Sequence, residues 1–225
     1  SSLCVYRNYG YFGDNHGNVL CVNLNTMRPV WHYKNLDDTD GTLVCREEEG
    51  VPYVYTACEV DKQGEEGISR FAKLNGLNGQ SVWERDIPCR RINLPEKTLD
   101  GGMYASPLLG TDDCRHLLFA NVCRNGASRC PGELTAFDTR TGEVVYTLPY
   151  NNFAWSSPVP LTNEHGEMFI FTGDAGGMAY VVRGLTGEVV FKKSIGFNFE
   201  SSPIVVGNSI VIGCRGTNIY KISIK

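Results

Sequence analysis

The feature that most constrains the fold of this chain is a ten-residue pattern that occurs four times. Each copy begins with an apolar residue, passes through a small polar turn and ends on an aromatic side chain. The copies are VNLNTMRPVW (22–31), LNGLNGQSVW (74–83), FDTRTGEVVY (137–146) and VRGLTGEVVF (182–191). Glycine occupies the sixth position in three of them, and Met27 replaces it in the first. A strand that ends in such a turn and resumes with a large aromatic residue predicts a β-hairpin.

Two further motifs recur out of phase with the first. Short segments with a Ser-Pro pair open three apolar runs, and glycine-rich turns separate two more strands in several repeats. The Ser-Pro segments are ASPL (105–108), SSPV (156–159) and SSPI (201–204), and the glycine-rich turns lie within 12–20, 172–180 and 212–220. The three motifs together predict four short strands per repeat, which we name a, b, c and d in chain order. Four antiparallel strands in every 40 to 60 residues, roughly, is the spacing of a β-propeller blade.

We therefore predict one all-β propeller domain over residues 1–225. Complete four-stranded antiparallel blades are expected at about 1–36, 38–88, 101–150 and 153–196, with a partial fifth at 198–225. The first unit already has its own strand a, so the N-terminal segment offers no spare strand to complete the fifth. This pattern, with a start at Ser1 rather than Met, favours an incomplete or C-terminal portion of a larger propeller over five blades that close imperfectly. We expect missing blades to come from the rest of the natural chain or from self-association.

Composition excludes two classes of partner. The formal net charge is -4 and no run of Lys or Arg is present, which makes the chain a poor binder of duplex nucleic acid because phosphate neutralisation needs clustered cations. No apolar stretch reaches the length of about 18 residues that a membrane-spanning helix requires. The 25 glycines suit a turn-rich β fold.

The segment AFDTRTGEVVY (136–146) resembles the tryptophan-docking motif A-x-D-x-x-T-G-x-x-x-W of the quinoprotein, or PQQ-type, β-propellers. Tyr146 stands in place of the Trp, whereas the copy that ends at Trp83 keeps the Trp but has Asn75 in place of the Asp. The resemblance runs along nearly the whole chain and extends to the periplasmic lipoprotein of the outer-membrane β-barrel assembly machinery. It implies that each docking aromatic packs between neighbouring blades. It also implies an extracytoplasmic location, whether periplasmic, on the cell surface or secreted.

The resemblance raises the question of a PQQ cofactor. The quinoprotein alcohol dehydrogenases hold PQQ with a disulfide between adjacent cysteines, a stacking Trp and a bound Ca²⁺. The nine cysteines of this chain are all separated in sequence, so the most specific of these markers is missing. We predict no cofactor, and PQQ with calcium only if the chain is a fragment of such a dehydrogenase.

Candidate ligand-binding residues follow from propeller geometry, because ligands usually lie where the d–a and b–c loops meet at the central channel. Tyr104, Trp155 and Glu200 come just before a strand a and are expected at that rim. Trp155 would stack on a flat ligand, and the alternative is that it caps the channel or packs on a neighbouring blade. Arg90 and Arg91 lie in the longest d–a connection (88–104) and would grip an anionic group, unless this segment is only a solvated insertion.

Two other insertions, at 59–67 and 123–132, fall in b–c turns and are therefore expected on the same face as the 88–104 connection. Cys123 and Cys130 flank a glycine-rich turn and are candidates for a disulfide. No pair of cysteines or histidines has the spacing of a zinc site, and we predict no metal.

The leading functional hypothesis is a non-catalytic binding or scaffolding module that engages a protein or a small ligand through the face where these loops meet. One alternative is a fragment of a PQQ-dependent quinoprotein dehydrogenase. A second is a sensor or carbohydrate-binding domain of a surface protein. Fold alone does not choose among them, since propellers support unrelated functions.

Overall fold

The computed structural model of the protein describes residues 1–126 and 131–224, and these residues form five successive antiparallel β-sheets and one separate two-stranded hairpin, without an α-helix. The first sheet contains β1 (Cys4–Tyr6), β2 (Tyr9–Gly13), β3 (Asn18–Asn23) and β4 (Arg28–Lys34). The second contains β5 (Val44–Glu48), β6 (Val51–Ala57), β8 (Glu66–Asn75) and β9 (Ser81–Arg90). The third contains β13 (Leu108–Leu109), β14 (Leu117–Cys123), β15 (Gly132–Asp138) and β16 (Val144–Pro149), with the short 3-10 helix η1 (Asp112–Cys114) between β13 and β14.

The fourth sheet contains β17 (Val159–Thr162), β18 (Met168–Gly173), β19 (Met178–Arg183) and β20 (Val189–Ser194). The fifth contains β21 (Ile204–Val206), β22 (Ser209–Gly213) and β23 (Ile219–Ser223). The remaining strands lie in the connections and are β7 (Glu59–Val60), β10 (Ile92–Leu94), β11 (Lys97–Leu99) and β12 (Gly101–Gly102). In each four-stranded sheet the strands pair in chain order, as an up-and-down meander. This confirms the all-β, four-stranded pattern expected from the repeats.

The hydrophobic core is divided into layers, each of which lies between two consecutive sheets. The layer between the second and third sheets, for example, contains Tyr55, Phe71 and Trp83 from one sheet and Leu118 and Phe137 from the other. Comparable layers join the first to the second sheet, the third to the fourth and the fourth to the fifth. Alternation of apolar side chains along the inner strands places them on both faces of a sheet, so the second, third and fourth sheets each pack against two neighbours.

The last aromatic of the first three ten-residue patterns reaches across to the next sheet. The indole N–H of Trp31 donates to the carbonyl oxygen of Gly76 at 2.8 Å, and that of Trp83 donates to the carbonyl of Thr139 at 3.0 Å. The Tyr146 hydroxyl donates to the carbonyl of Gly184 at 2.7 Å. Each acceptor belongs to the turn of the following repeat, so the docking role implied by the family resemblance is present in three consecutive interfaces.

The glycine at the sixth position of the pattern receives the incoming ring. Gly79, Gly142 and Gly187 have φ values of +74°, +71° and +77°, a left-handed conformation that L side chains rarely adopt. A Cβ atom built on any of them would lie 2.6 to 2.7 Å from a ring carbon of Trp31, Trp83 or Tyr146, respectively. The position therefore needs glycine for two separate reasons, its backbone conformation and the close approach of the ring.

The fourth aromatic, Phe191, is 41% exposed, and all six residues of β20 are exposed. The fifth sheet has three strands among the described residues and presents no turn between a strand c and a strand d to receive this ring. Exposed apolar residues continue onto the fifth sheet, where Ile204 and Ile219 are 58% and 79% exposed.

No helix in the described part of the chain is long and apolar enough to cross a bilayer.

The two requirements at Gly142 can be separated experimentally. Gly142→Ala adds both left-handed strain of about 1 kcal/mol and a clash with the Trp83 ring of about 2 kcal/mol, so we expect the free energy of unfolding to fall by roughly 3 kcal/mol. Gly166 has a similar φ of +76° with nothing within 4 Å of an added Cβ. Gly166→Ala should therefore lose only about 1 kcal/mol. Urea denaturation measures both values, and equal losses would show that ring docking does not stabilise this interface.

Candidate functional site

Three long connections from the second and third sheets meet on one side of the molecule. They are residues 59–67, 88–104 and 123–126, and we refer to the surface they form as the loop face. Backbone pairing joins all three, because β12 in the second connection pairs with β7 in the first and with the end of β14 at Cys123. The third sheet is thereby extended to the strand order β16-β15-β14-β12-β7, which the repeat pattern did not predict.

Gly102 is the residue that makes this extension possible. It has a φ of +92°, and a Cβ built on it would lie 2.7 Å from the Cα of Glu59. Only glycine combines that conformation with so close an approach of two backbones. The Gly101-Gly102 pair of the sequence is therefore a structural link between two connections.

A buried carboxylate organises the first connection. Asp37, which is 3% exposed, accepts hydrogen bonds from the backbone N–H groups of Asp61 and Lys62, both at 3.1 Å, and from the side chain of Gln63 at 3.2 Å. Burial and the adjacent Asp37 raise the pKa of Asp61 to about 6. Although burial works against it, hydrogen bonding holds the pKa of Asp37 below its usual value.

Carboxylate oxygens of Asp37, Asp38 and Asp61 lie within 4.8 Å of one another, a separation that would suit a metal ion. The Lys62 ammonium already contacts Asp38 at 2.6 Å, and Asp37 already accepts hydrogen bonds from the backbone N–H groups of Asp61 and Lys62. The cluster thus has an internal partner for much of its charge. Its clearest role is to shape residues 59–63.

Glu59 is the most perturbed carboxyl group near the loop face. Its side chain is 5% exposed, and burial together with the neighbouring Asp40 raises the pKa of Glu59 to about 9. The Tyr104 phenol lies beside the same carboxyl, and burial and Glu59 raise its pKa as well. At neutral pH Glu59 is therefore protonated, which lets it sit next to Asp40 without a second negative charge.

The structure brings together two of the residues predicted from sequence. The rings of Tyr104 and Trp155 lie 5.3 Å apart, and Phe153 lies 4.6 Å from Trp155 on another side. Leu99, from the β10–β11 hairpin, packs into the same cluster. Trp155 is therefore a half-buried part of an aromatic cluster that also holds Leu99 of the hairpin, and its stacking on a ligand stays a prediction.

The two predicted arginines have different surroundings. Arg91 forms an ion pair with Asp100 at 2.7 Å and also donates to the backbone carbonyl of Asp61, so it ties two connections together. Arg90 pairs with the largely exposed Glu66 at 2.7 Å and lines a cavity. Glu200 does not join them: it pairs with Arg215 at 2.5 Å and accepts from Asn198 at 2.8 Å, both beside the fifth sheet.

The cavity of about 700 Å³ lies within the loop face and is lined by residues of all three connections. Its lining residues are Gln63, Glu66, Gly67, Ile68, Pro88, Cys89, Arg90, Arg124 and Asn125. Asn125 is 3% exposed and has a φ of +47°. Sequence reasoning marked these insertions as a shared face but did not single out Gln63, Arg124, Asn125 or the buried Glu59, since nothing in the sequence says which loop side chains turn inward.

The proposed Cys123–Cys130 disulfide stays a prediction, because Cys130 lies outside the described residues. Cys123 itself is fully buried at the end of β14, with its Sγ atom 3.8 Å from the carbonyl oxygen of Ala154. Burial raises the pKa of the Cys123 thiol to about 12.

Comparison with solved structures finds proteins of the expected kind. BamB from Moraxella catarrhalis is 15% identical with a TM-score of 0.65, and the match covers 99% of this chain and 57% of that one. The quinohemoprotein alcohol dehydrogenase ADHIIG from Pseudomonas putida HK5 is 13% identical with a TM-score of 0.58, and the match covers 86% of this chain and 34% of that one. The β-propeller domain of Cps50 (Swd1) from Myceliophteria thermophila is 14% identical with a TM-score of 0.62, and the match covers 100% of this chain and 65% of that one.

This chain thus spans between about a third and two thirds of the length of those proteins. No family model and no curated protein sequence matches it. At such identities the likeness shows the fold alone. The chain has a β-propeller fold, and its repeats resemble those of the PQQ-type propellers.

The buried Glu59 predicts a specific pH dependence of stability. Its pKa is raised in the folded state, so its contribution is present below the ordinary carboxyl pKa and is lost as the pH rises through about 9. Relative to Glu59→Gln, which keeps a neutral side chain, the wild-type protein should lose about 3 kcal/mol or more of unfolding free energy between about pH 5 and pH 9. Urea denaturation across this range measures the difference.

Glu96→Gln, in the exposed tip of the β10–β11 hairpin, is the matched control and should follow the wild-type curve. If the wild type and Glu59→Gln run parallel across the range, Glu59 is ionised in the folded protein and this interpretation of the site is wrong.

Proposed function

We propose that this chain is a non-catalytic protein-binding module whose partner docks on the loop face. The observation that carries the proposal is the convergence of three long connections from two blades around one cavity. Long ordered loops on a rigid sheet scaffold are a common basis of recognition surfaces. The arginines at its rim, Arg90 and Arg124, are 38% and 37% exposed as side chains, which leaves their outer atoms within reach of a partner.

The chemistry of the cavity supports binding more than catalysis. Cys89, the one thiol among its lining residues, is 3% exposed, and burial raises its pKa to about 11. A neutral buried thiol is a poor nucleophile at physiological pH. The cavity's charged side chains are held in ion pairs, Arg90 with Glu66 and Arg124 with Glu133, and such pairs position groups for recognition.

The quinoprotein alternative fits the residues of this chain poorly. PQQ would need the adjacent-cysteine platform, and no two cysteines are adjacent in the sequence. The candidate stacking residue, Trp155, already has Phe153 and Tyr104 against its ring. We accordingly propose no step through PQQ. The likeness to a quinohemoprotein dehydrogenase is a likeness of fold, and folds host unrelated activities.

Two further elements of the proposal concern the setting of the module. The exposed apolar residues of β20 to β23 support coverage of this side by additional blades or by a second copy, since contiguous apolar surface favours burial. The extracytoplasmic location is supported by the family resemblance of the repeats alone.

The protein-binding proposal is tested by mapping contacts in cells. A photo-crosslinking amino acid at Glu66, whose side chain is 78% exposed on the loop face, should give a discrete crosslinked partner. The same probe at Arg140 is the control, because the β15–β16 turn lies at the opposite end of β15 from the loop face. Mass spectrometry identifies the partner, and crosslinking only from Arg140 would contradict the proposal.

Affinity for the identified partner then gives a quantitative check. Arg90→Glu reverses the charge at the rim and should weaken binding by about tenfold or more. Arg140→Glu makes the same change on the far side and should leave the dissociation constant unchanged. Equal effects of the two variants would show that the partner docks elsewhere.

The cofactor alternative has its own test. We expect titration of the protein with PQQ and Ca²⁺ to give no saturable change in absorbance and no dye reduction with alcohols. Saturable binding together with dye reduction would show that the chain is a PQQ-dependent dehydrogenase and would overturn the proposal of a non-catalytic binding module.

A further inference from the structure

Two cysteines lie in the interface between the first and second sheets. Cys4 belongs to β1 and Cys45 belongs to β5, and both pack against the core layer that joins these two sheets. Of the eight cysteines in the described part of the chain, five are buried, whereas Cys4, Cys45 and Cys214 are half-buried. Cys214 packs against a different core layer, between the fourth and fifth sheets. Cys4 and Cys45 are therefore two solvent-accessible thiols that share one interface.

Contacts between β1 and β5 show how the two cysteines are aligned. The Tyr6 hydroxyl donates to the Glu47 carboxylate, and Cα atoms of the two strands approach within 8 Å of one another. Each strand is the first of an up-and-down sheet, so β1 and β5 run in the same direction. Cys4 precedes Tyr6 by two residues, and Cys45 precedes Glu47 by two residues. Since residues two apart share a face of a strand, Cys4 and Cys45 are neighbours across the interface.

The next interface has the same arrangement with apolar side chains. Val44 occupies in β5 the register position that Cys4 occupies in β1, and Leu109 occupies in β13 the position of Cys45 in β5. Val44 and Leu109 both pack against the core layer between the second and third sheets. The two cysteines thus stand where the repeat brings side chains from neighbouring sheets together.

The ionisation of the thiols agrees with this placement. Burial raises the pKa of Cys45 to about 12, and the neighbouring Cys4 adds to the effect. Burial also raises the pKa of Cys4. Both groups are therefore protonated at neutral pH, and their exchange with other disulfides is slower than that of a free cysteine.

We propose that Cys4 and Cys45 form a disulfide that links the first sheet to the second when the protein is exposed to a small-molecule disulfide such as oxidised glutathione. This modification site is separate from the loop face and goes beyond the proposed binding function. The first sheet is joined to one neighbour among the described residues, and its outer side chains Leu3 and Val5 are 48% and 56% exposed. A covalent link to its one neighbour would stabilise this end of the row of sheets.

The reaction balances with one glutathione disulfide. One cysteine loses its proton, and its sulfur attacks a glutathione sulfur, so the glutathione S–S bond breaks and one glutathione thiolate leaves. The second cysteine then loses its proton and attacks the protein sulfur of this mixed disulfide, which forms the Cys4–Cys45 bond and releases the second glutathione thiolate. The two leaving thiolates take up the two protons. Two protein thiols are oxidised by two electrons, and glutathione disulfide is reduced to two thiols.

Peptide mapping tests the proposal on the folded 225-residue chain. The protein is equilibrated with oxidised and reduced glutathione at about pH 8.5, where more thiolate is present, and remaining thiols are then blocked with N-ethylmaleimide. Trypsin releases segments 1–7 and 35–46, which contain Cys4 and Cys45 as their only cysteines. We expect mass spectrometry to find these two segments joined by a disulfide that dithiothreitol removes.

Thermal unfolding measures the consequence of the bond. A disulfide that closes a loop of about 40 residues restricts the unfolded chain, so the oxidised protein should melt about 5 to 10 °C above the reduced protein. The Cys4→Ala, Cys45→Ala double variant should lose this difference. Cys214→Ser is the matched control, because it removes the third half-buried thiol and should keep both the joined segments and the difference in melting temperature.

The proposal is overturned if segments 1–7 and 35–46 are recovered separately after oxidation, each with its own glutathione or maleimide group. Linkage of either cysteine to a different cysteine would overturn it as well. If the two segments are joined but the oxidised and reduced proteins melt at the same temperature, the bond does not stabilise the first sheet.

Discussion

The structure depends on one repeated interaction, the insertion of an aromatic ring from one blade against the turn glycine of the next. An isolated four-stranded meander buries little surface, so each blade needs a neighbour. Trp31, Trp83 and Tyr146 supply the link by donating a hydrogen bond to the following turn while their rings cover Gly79, Gly142 and Gly187. Two chemically different groups, indole and phenol, perform this role because each combines a flat apolar surface with one polar hydrogen at its edge.

The site is built on this scaffold by a second device, the joining of loops through the backbone. Gly102 lets β12 approach β7 closely enough to extend the third sheet beyond its blade. An ion pair between Arg91 and Asp100 also stabilises the 88–104 connection. Hydrogen bonds to Asp37 shape the neighbouring loop. The loop face is thereby held by hydrogen bonds and an ion pair.

Burial, more than charge, governs the titratable groups of this region. Glu59 and Tyr104 have raised pKa values chiefly because they are buried, and Asp40 and Glu59 respectively add to the effect. A carboxyl group that stays protonated at neutral pH can lie beside another carboxylate without repulsion. Local composition would predict a strongly negative site from Asp37, Asp38, Asp40 and Glu59, whereas proton uptake and the Lys62 ammonium reduce that charge.

The sequence by itself determined the blade architecture, because the period of the repeat, the turn glycines and the docking aromatics are local signals that recur in the chain. It also predicted a shared face for the insertions at 59–67, 88–104 and 123–132, since strand alternation fixes the end of the sheet from which each loop leaves, and residues 59–67, 88–104 and 123–126 meet on one side. Only the tertiary structure decided that Trp155 packs with Tyr104 and Phe153, that Glu200 pairs with Arg215 away from the others, and that Glu59 and Asn125 are buried. These outcomes depend on contacts between residues that are far apart in sequence and have no periodic pattern, so burial and partners in the loops are set by packing rather than by any signal in the chain.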